Sequence, residues 1–506
     1  MGQYVISWIF FVAYVILMLW LGIKGYKESK TVEGFFLADR KLGTWVISFS
    51  FFSTLLSTAA FLGGGGTGFL LGFGWPAYMF AFNVIFCVVP WIFIAPRMRV
   101  FTEKLKSLTI PDFFAFRYED QTVRVIASLV ILFALEFNLT AAYKASGNLL
   151  QVLLDVPYVV AILIFLVPVV IYVFIGGFKA VAWTDFIQGV LMLVGAVVLF
   201  VLVLQAVGGW SNGIAELSRI KLLGNIPGDA LLKLGGFGPP PIMKAGKLTQ
   251  FTLSLAFAIC AANLALPHLV VRFYAARDMN VIRKGMIITP IIIGLFVFTC
   301  YSIGPFAWLI IPKYVSGPEL AKYVKDVDLV IPFLIQKLLP TGLNAFLLVA
   351  IIAAGQSTIS SVIMVVVSAL SRDLIQVAKP GINEQQLLRI SRWATVILGF
   401  IPFLIAIRPP AIVSMIVGQA FSVIGSAFTA PLLIGLYWRG GTAKASWISM
   451  LLATLTCIVW NFTYYPKEWI YPIIPGLIVG IISYVVISWF TKKPSDRILE
   501  MIKAGV

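Results

Sequence analysis

The chain of 506 residues has little of the chemistry on which most enzymes depend. Only 12% of its residues are charged, and it contains four cysteines and one histidine, His268. The cysteines lie in apolar segments without the spacing of metal ligands, so no metal centre is expected. No nucleophile–base pair or metal cluster is visible either, which argues against an enzyme.

Apolar residues, in contrast, are abundant. They make up 60% of the chain and come in long blocks of helical length, unlike the roughly 10-residue alternating segments of a membrane β-barrel. This pattern predicts an all-α polytopic membrane protein. It excludes a soluble enzyme, a secreted disulfide scaffold and a nucleic-acid reader.

Windows of about 18 or more mostly apolar residues predict thirteen transmembrane helices. Basic residues follow the first of these segments and no small-residue cleavage site does, so it is expected to be a retained helix and not a signal peptide. The predicted spans are 4–23, 44–73, 76–95, 124–153, 156–175, 180–207, 249–275, 286–312, 341–371, 389–407, 410–438, 443–463 and 470–490.

The charge of the chain, 38 Lys and Arg against 21 Asp and Glu, is expected to report topology. With an extracellular N-terminus, 26 of the 38 basic residues fall on the inner side, including Arg272 in an inner loop, while short outer connections such as 72–76 and 153–157 carry none. This asymmetry predicts a multi-pass protein of the cell membrane with its N-terminus outside and its C-terminus in the cytoplasm.

Two of the predicted spans contain weak points for a helix. The glycine run 63–66 follows the polar stretch 53–58, and Pro267 ends the segment 263–267 without the N–H that would close its turn. Corresponding interruptions in two halves are typical of inverted-repeat secondary transporters. The alternative for the glycine run is close helix packing.

The weak points lie in the first helices of two five-helix groups, so a 5+5 inverted repeat is expected, with one preceding and two following helices. The expected units are 1–43 with the first helix, 44–207 as the first repeat, 208–248 as an extracellular loop, 249–438 as the second repeat and 439–506 with two C-terminal helices and a short tail.

A cluster of hydroxyls on the ninth predicted span carries the main chemical signal. Ser357, Thr358, Ser360 and Ser361 place four hydroxyls in five positions of an apolar helix. Hard oxygen ligands of this kind suit Na⁺ better than a soft transition metal. Single hydroxyls of membrane helices commonly bond back to their own helix, and this alternative applies to each residue taken alone.

Few ionisable residues lie at membrane depth. Asp185 is a candidate cation ligand or proton carrier, with a helix-start acid as the alternative. Glu136 and Lys144, eight residues apart, are expected to neutralise each other, although Lys144 could instead meet a substrate carboxylate. Arg408 and His268 lie near span ends, where an interfacial role is expected.

Five segments form a pattern by their order and spacing: FFLADRKLG at 35–43, GGFKAV at 176–181 followed by WTD at 183–185, Pro267-His268 with Arg272-Phe273, the stretch 354–361, and LYW at 436–438. Together they resemble the sodium:solute symporter family over nearly the whole chain. The resemblance implies a leucine-transporter-type fold. It also implies a sodium site formed by the backbone carbonyls of Ser53, Leu56 and Ala354 and the hydroxyls of Ser357 and Thr358.

By the same resemblance, a second sodium site uses residues that match Asp185, Ser357, Ser360 and Ser361, so transport with one or two Na⁺ is compatible with the sequence. Proline symporters have an aspartate at Leu55 and an aromatic residue at Asn263, and this difference argues against proline as the solute. The candidate substrate residues are Leu55, Ser57, Thr58, Asn263, Gln356 and Lys144.

These observations predict sodium-coupled import of a small organic solute, with a carboxylate or amino-acid-like solute favoured by Lys144, through alternating access. A proton-coupled transporter using Asp185 or Glu136, and a solute sensor on a transporter-like scaffold, are the alternatives. About 16 residues follow the last predicted span, so a sensor would need a separate signalling partner. No organic cofactor, nucleic acid or obligatory protein partner is expected, and a monomer is the default.

Overall fold

The computed structural model describes residues 2–26, 31–222, 228–232, 248–409, 411, 413–468 and 470–503. Within these ranges the chain forms helices joined by short turns, and no strand occurs apart from one isolated parallel bridge between Leu42 and Ala276. The all-α architecture predicted from the composition is confirmed.

Ten α-helices occupy the described part of the first half. Two π-helical turns, Ala59–Gly64 and Pro90–Ile94, join α3 to α4 and α5 to α6. The α-helices are α1 (Gly2–Tyr26), α2 (Val32–Leu37), α3 (Thr44–Leu55), α4 (Gly65–Leu71), α5 (Gly74–Val89), α6 (Ala95–Leu105), α7 (Ile110–Tyr118), α8 (Gln121–Leu154), α9 (Tyr158–Ala206) and α10 (Trp210–Arg219).

The second half continues with fifteen α-helices among the described residues. Two more π-helical turns, Ala369–Ile375 and Ala430–Ile434, extend α17 and α20. The α-helices are α11 (Leu248–Ala261), α12 (Pro267–Ala275), α13 (Met279–Tyr301), α14 (Ile303–Ile310), α15 (Gly317–Lys325), α16 (Val330–Leu338), α17 (Thr341–Ser368), α18 (Gln376–Ala378), α19 (Glu384–Ala406), α20 (Val413–Thr429), α21 (Gly435–Tyr437), α22 (Ala443–Thr463), α23 (Tyr465–Glu468), α24 (Ile473–Trp489) and α25 (Asp496–Lys503).

Membrane-length apolar helices number ten in the described residues, or eleven when the bent pair of 44–55 and 59–71 counts as one span. The predicted spans 156–175 and 180–207 both fall within α9, whose 49 residues contain a break at Gly177 (φ 57°, ψ −157°). The last predicted span is represented by α24, with 17 residues. The count of thirteen therefore stays a prediction.

The first predicted weak point is a real break, but it lies before the glycines. Helix α3 ends at Leu55, and the chain bends by 57° before the next helical segment. The glycines themselves are helical and allow close packing: Gly64 faces the ring of Tyr301, and Gly66 faces the backbone of Val327. The helix break thus lies in the polar stretch 53–58, and the glycine run 63–66 serves close helix packing.

The second predicted weak point is confirmed. Helix α11 ends at Ala261, a 3₁₀ turn covers Ala262–Leu264, and α12 begins at Pro267. Proline fits the first helical position because its missing N–H has no partner there in any helix. The two broken helices are therefore α3–α4 and α11–α12.

Burial shows which helices form the centre of the bundle. In the most apolar part of α17, 94% of the residues are buried, against 89% for α11–α12 and 83% for α20. The corresponding share is 33% for α1 and α22, whose apolar side chains face outwards. The hydroxyl-bearing α17 and the second broken helix thus lie inside the protein, as a site at membrane depth requires.

Candidate functional site

The end of α3 presents backbone oxygens to α17. Because α3 stops at Leu55, the carbonyls of its last turn lack the amide donors that a continuing helix would supply. The Ser357 hydroxyl donates to the Ser53 carbonyl (2.8 Å), and the Thr358 hydroxyl donates to the carbonyls of Ser53 (3.3 Å) and Thr54 (2.9 Å). The break therefore joins carbonyl and hydroxyl oxygens in one place.

The predicted sodium ligands come together here. Ser357 also donates to the Ala354 carbonyl (3.0 Å), and Leu56, next to this cluster, has an extended backbone (φ −109°, ψ 94°). All five predicted residues are buried, with Thr358 the most exposed at 5%. Neutral oxygens alone are a donor set that suits a hard monovalent cation, so the residues fit Na⁺.

A second cluster surrounds Asp185. Its Oδ2 accepts hydrogen bonds from Ser50 (2.7 Å), Thr54 (3.3 Å) and Ser361 (3.2 Å), and it pairs with Arg272 of α12 at 2.9 Å. The side chains of Asp185 and Arg272 are both fully buried.

Of the three serines predicted to join Asp185 in a second sodium site, only Ser361 bonds to the Asp185 carboxylate. Ser357 donates to Ser53 and Ala354 instead, and Ser360 donates back to the Ser357 carbonyl (3.0 Å). The alternative interpretation of a membrane-helix hydroxyl, a bond to its own helix, thus describes Ser360.

Two sequence interpretations in this region are wrong. Arg272 was expected among the basic residues of an inner loop, and His268 was expected at an interface. Both are fully buried on α12. Sequence reasoning missed the burial of Arg272, although its position one turn after the only histidine, on a helix opened by Pro267, was the available signal.

A cavity of ≈ 40 Å³ lies beside the sodium-ligand cluster, large enough for about two or three water molecules. None of its described lining residues is an Asp, Glu, Lys, Arg or His. The lining residues are Leu55, Leu56, Ser57, Ala59, Ala60, Gly64, Trp75, Asn83, Asn138, Ile259, Tyr301, Thr358, Ser414, Val417 and Phe421. Leu56 and Thr358 belong to both the cavity wall and the sodium-ligand cluster.

Only Leu55 and Ser57 of the six predicted substrate residues line this cavity. The Thr58 hydroxyl donates to the Ile351 carbonyl (2.7 Å), and Gln356 is held by Tyr14 (2.9 Å) on the far side of α17. The amide atoms of Asn263 are buried without a hydrogen-bond partner among the described residues.

The cavity residues missed from the sequence are chiefly Asn83, Asn138, Trp75, Tyr301 and Ser414. Amide side chains within the apolar spans 76–95 and 124–153 were a usable signal for the two asparagines. The aromatic residues gave none, because the chain has 14 Trp and 17 Tyr and most of them could equally face lipid.

Lys144 lies outside the cavity, in an ion pair with a loop. Its ammonium donates to Asp328 Oδ2 (2.8 Å) and to the Ala411 carbonyl (3.3 Å), and Asp326 lies 3.8 Å away. The predicted Glu136–Lys144 pair is wrong, because eight residues span about 12 Å along a helix and leave the two groups too far apart to pair. Both carboxylate oxygens of Glu136 are buried without a partner among the described residues.

A bundle of membrane-length helices, in which the carbonyls of a broken helix meet the hydroxyls of a neighbouring helix, is typical of a multi-span secondary transporter. The sequence profile of the sodium:solute symporter family matches residues 35–453. The chain belongs to this family, and it is a sodium-coupled symporter of a small organic solute in the cell membrane.

The relatives are transporters. The sodium/pantothenate symporter of Escherichia coli (strain K12) is 27% identical over 97% of this chain and 98% of its own length. The sodium/proline symporter of Salmonella typhimurium (strain LT2) is 28% identical over 97% of this chain and 94% of its own length.

The fold is that of a Na⁺-coupled sialic acid symporter solved in a substrate-bound outward-open state. That structure matches with a TM-score of 0.80 at 18% identity, over 97% of this chain and 99% of the other. The fold and family expected from the resemblance are confirmed.

Proposed function

We propose that the chain imports its solute by alternating access, driven by a sodium ion bound where α3 ends against α17. The observation that carries this proposal is the convergence of the Ser53 carbonyl with the hydroxyls of Ser357 and Thr358 at the break. The carbonyls of Leu56 and Ala354 complete the proposed ligand set. The ion supplies a positive charge that holds the broken helix against α17.

Residues common to the proposed ion site and the cavity would couple ion binding to solute binding. Leu56 and Thr358 face both the proposed ion site and the cavity, so an ion that orders them also orders the solute site. The coupling is reciprocal by thermodynamic necessity: the solute strengthens sodium binding by the same factor.

The driving force is sufficient for concentrative uptake. A membrane potential of ~100 mV contributes ~2.3 kcal/mol per charge, and a tenfold sodium gradient adds ~1.4 kcal/mol. One ion could therefore sustain a several-hundredfold gradient of a neutral solute, since each 1.4 kcal/mol corresponds to about a factor of ten.

For the solute, we propose a small carboxylate or amino-acid-like molecule. Relatives are named for pantothenate and proline, both of which carry a carboxylate. Lys144 is not its partner in this proposal, because its ammonium is bound to Asp328. Asn138, which lines the cavity and whose side chain makes no hydrogen bond to the described residues, is the favoured polar contact.

The proposed topology keeps the N-terminus outside and the C-terminus in the cytoplasm, with the repeats at 44–207 and 249–438. A single chain contains all the proposed ligands of the ion and the solute, so a monomer is the proposed functional unit. Binding of Na⁺ and solute to the folded protein should raise its apparent melting temperature. We expect purified protein to be stabilised by Na⁺ but not by choline. Together with Na⁺, one member of a panel of pantothenate, proline, monocarboxylates, sialic acid and sugars should raise the melting temperature further.

Thr358→Ala tests the ion site directly. Loss of a hydroxyl bound to a charged group costs about 1.5–3 kcal/mol, so the sodium concentration for half-maximal uptake should rise ten- to a hundredfold. Thr463→Ala is the matched control, because the Thr463 side chain is exposed at the end of α22 and bonds only its own helix, to the Val459 carbonyl. Equal sodium dependence in wild type and Thr358→Ala would contradict the site.

One observation keeps proton coupling as a second candidate. Glu136, at mid-length of α8, is buried without a partner for its carboxylate among the described residues, and such a group at membrane depth is a functional candidate by default. Proton coupling predicts uptake in choline buffer that follows an imposed pH gradient and is lost in Glu136→Gln. Uptake that needs sodium at every pH would remove this candidate.

A further inference from the structure

The side-chain oxygens of Asp185, Ser50, Thr54 and Ser361 form a cage that already contains a cation. The guanidinium of Arg272 donates to Asp185 Oδ2 (2.9 Å), to Ser50 Oγ (3.1 Å) and to the hydroxyls of Thr54 and Ser361. These groups come from four helices: α3, α9, α12 and α17. A carboxylate with three hydroxyls is a donor set that would suit a hard cation, and here the guanidinium takes that place.

A second sodium ion, which the family resemblance implies at Asp185 and Ser361, does not fit beside this guanidinium. The Oδ2 atom and the Ser361 hydroxyl that would bind the ion are both bonded to Arg272. Ser357 and Ser360, the other two implied ligands, bond elsewhere. Of the two carboxylate oxygens of Asp185, only Oδ1 lacks a partner among the described residues, and one oxygen is too few for Na⁺.

The net charge of the Asp185–Arg272 pair also disfavours a second sodium ion. Asp185 and Arg272 form a neutral pair, and both side chains are fully buried. An added ion would leave a net positive charge in the cage. No second carboxylate lies among these groups to balance that charge.

We propose that Arg272 supplies, as a fixed part of the protein, the charge that a second sodium ion would bring, so that one sodium ion accompanies each solute. This inference rests on the proposed function, because it counts ions for that transport. It also assigns Arg272 a positioning role: Thr54 accepts from Arg272 through its hydroxyl and from Thr358 through its carbonyl. The fixed cation thereby supports the turn that forms the first ion site.

The test counts sodium ions bound to the purified wild-type chain, with radiolabelled Na⁺ in a scintillation proximity assay calibrated to the protein concentration and choline as the blank. The expected result is one ion per chain with a Hill coefficient near one. Two ions per chain would overturn the inference and leave sodium coupling intact. No bound sodium would overturn the proposed function itself, so the two failures are distinguishable.

Arg272→Gln frees the cage, and its expected result is a second bound ion with a Hill coefficient approaching two. Arg272→Gln combined with Asp185→Asn removes the carboxylate as well and should return the count to one. Arg272→Lys keeps a cation in the cage and should stay at one. A single ion bound to folded Arg272→Gln would contradict the exchange of guanidinium for sodium. If that variant does not fold, the wild-type count still decides.

Discussion

Replacing Lys144 by methionine is expected to lower the free energy of unfolding by about 3–5 kcal/mol, because the change leaves the buried carboxylate of Asp328 without its ammonium partner. The side chain of Lys144 is 8% exposed and that of Asp328 is fully buried, so solvent cannot replace the lost partner. The variant should therefore show a strongly lowered apparent melting temperature and little uptake.

The double variant Lys144→Met/Asp328→Asn separates the ion pair from general damage. Asparagine removes the unpaired charge and can still accept the Val413 amide, which bonds Asp328 Oδ2 at 3.1 Å. Stability should return most of the way to wild type, since replacing both partners of a buried pair by neutral groups is often nearly neutral. Lys322→Met, at an exposed lysine of α15, is the control for a lost charge. Equal apparent melting temperatures of the single and double variants would contradict a stabilising ion pair between Lys144 and Asp328.

The second large effect is expected from Gly66→Ala. Alanine favours a helix over glycine by about 1 kcal/mol, so at an open helical position the change should stabilise. At Gly66 the added methyl would lie 2.8 Å from the carbonyl carbon of Val327 and closer still to its oxygen. Backbone cannot move aside as a flexible side chain can, so we expect a net loss of about 1–3 kcal/mol.

This clash also displaces the segment that carries Asp328, next to Val327, and so strains the ion pair with Lys144. Uptake by Gly66→Ala should fall at least tenfold, measured at equal protein in the membrane. Gly317→Ala is the matched control: nothing lies within 4 Å of its added methyl, at the start of α15. Wild-type uptake by Gly66→Ala would show that the close approach of α4 to this loop is dispensable.

The sequence predicted the bundle and its two breaks because these follow from local properties: apolar length, and a proline or a polar stretch that interrupts it. It predicted the ligand set at Ser53 and Thr358 through the resemblance. The predicted spans 156–175 and 180–207 correspond to the two parts of α9 on either side of Gly177, where the left-handed backbone breaks the helix.

Partners of charged side chains could not be predicted, because they depend on contacts distant in sequence. Lys144 meets Asp328 across 184 residues, and Arg272 meets Asp185 across 87. In the sequence, each basic residue has a plausible role close by: Lys144 could pair with Glu136, and Arg272 could belong to a basic inner loop. The uncharged residues of the cavity wall could not be predicted either. In the sequence, residues such as Trp75 and Ile259 look the same whether they face a solute, a neighbouring helix or lipid.

The backbone bridge at Leu42 ties the two broken helices together. The Leu42 amide donates to the Ala275 carbonyl (3.2 Å), and the Arg277 amide donates to the Leu42 carbonyl (3.0 Å). Leu42 lies just before α3, and Ala275 ends α12. A swing of α3 that left α12 behind would break both bonds.

A swing that keeps these bonds takes α12 along and carries Arg272 with the α3 residues Ser50 and Thr54. Asp185 and Ser361 lie on α9 and α17, which the bridge at Leu42 does not include. In a swing that left α9 and α17 in place, the hydrogen bond between Arg272 and Asp185 would have to break.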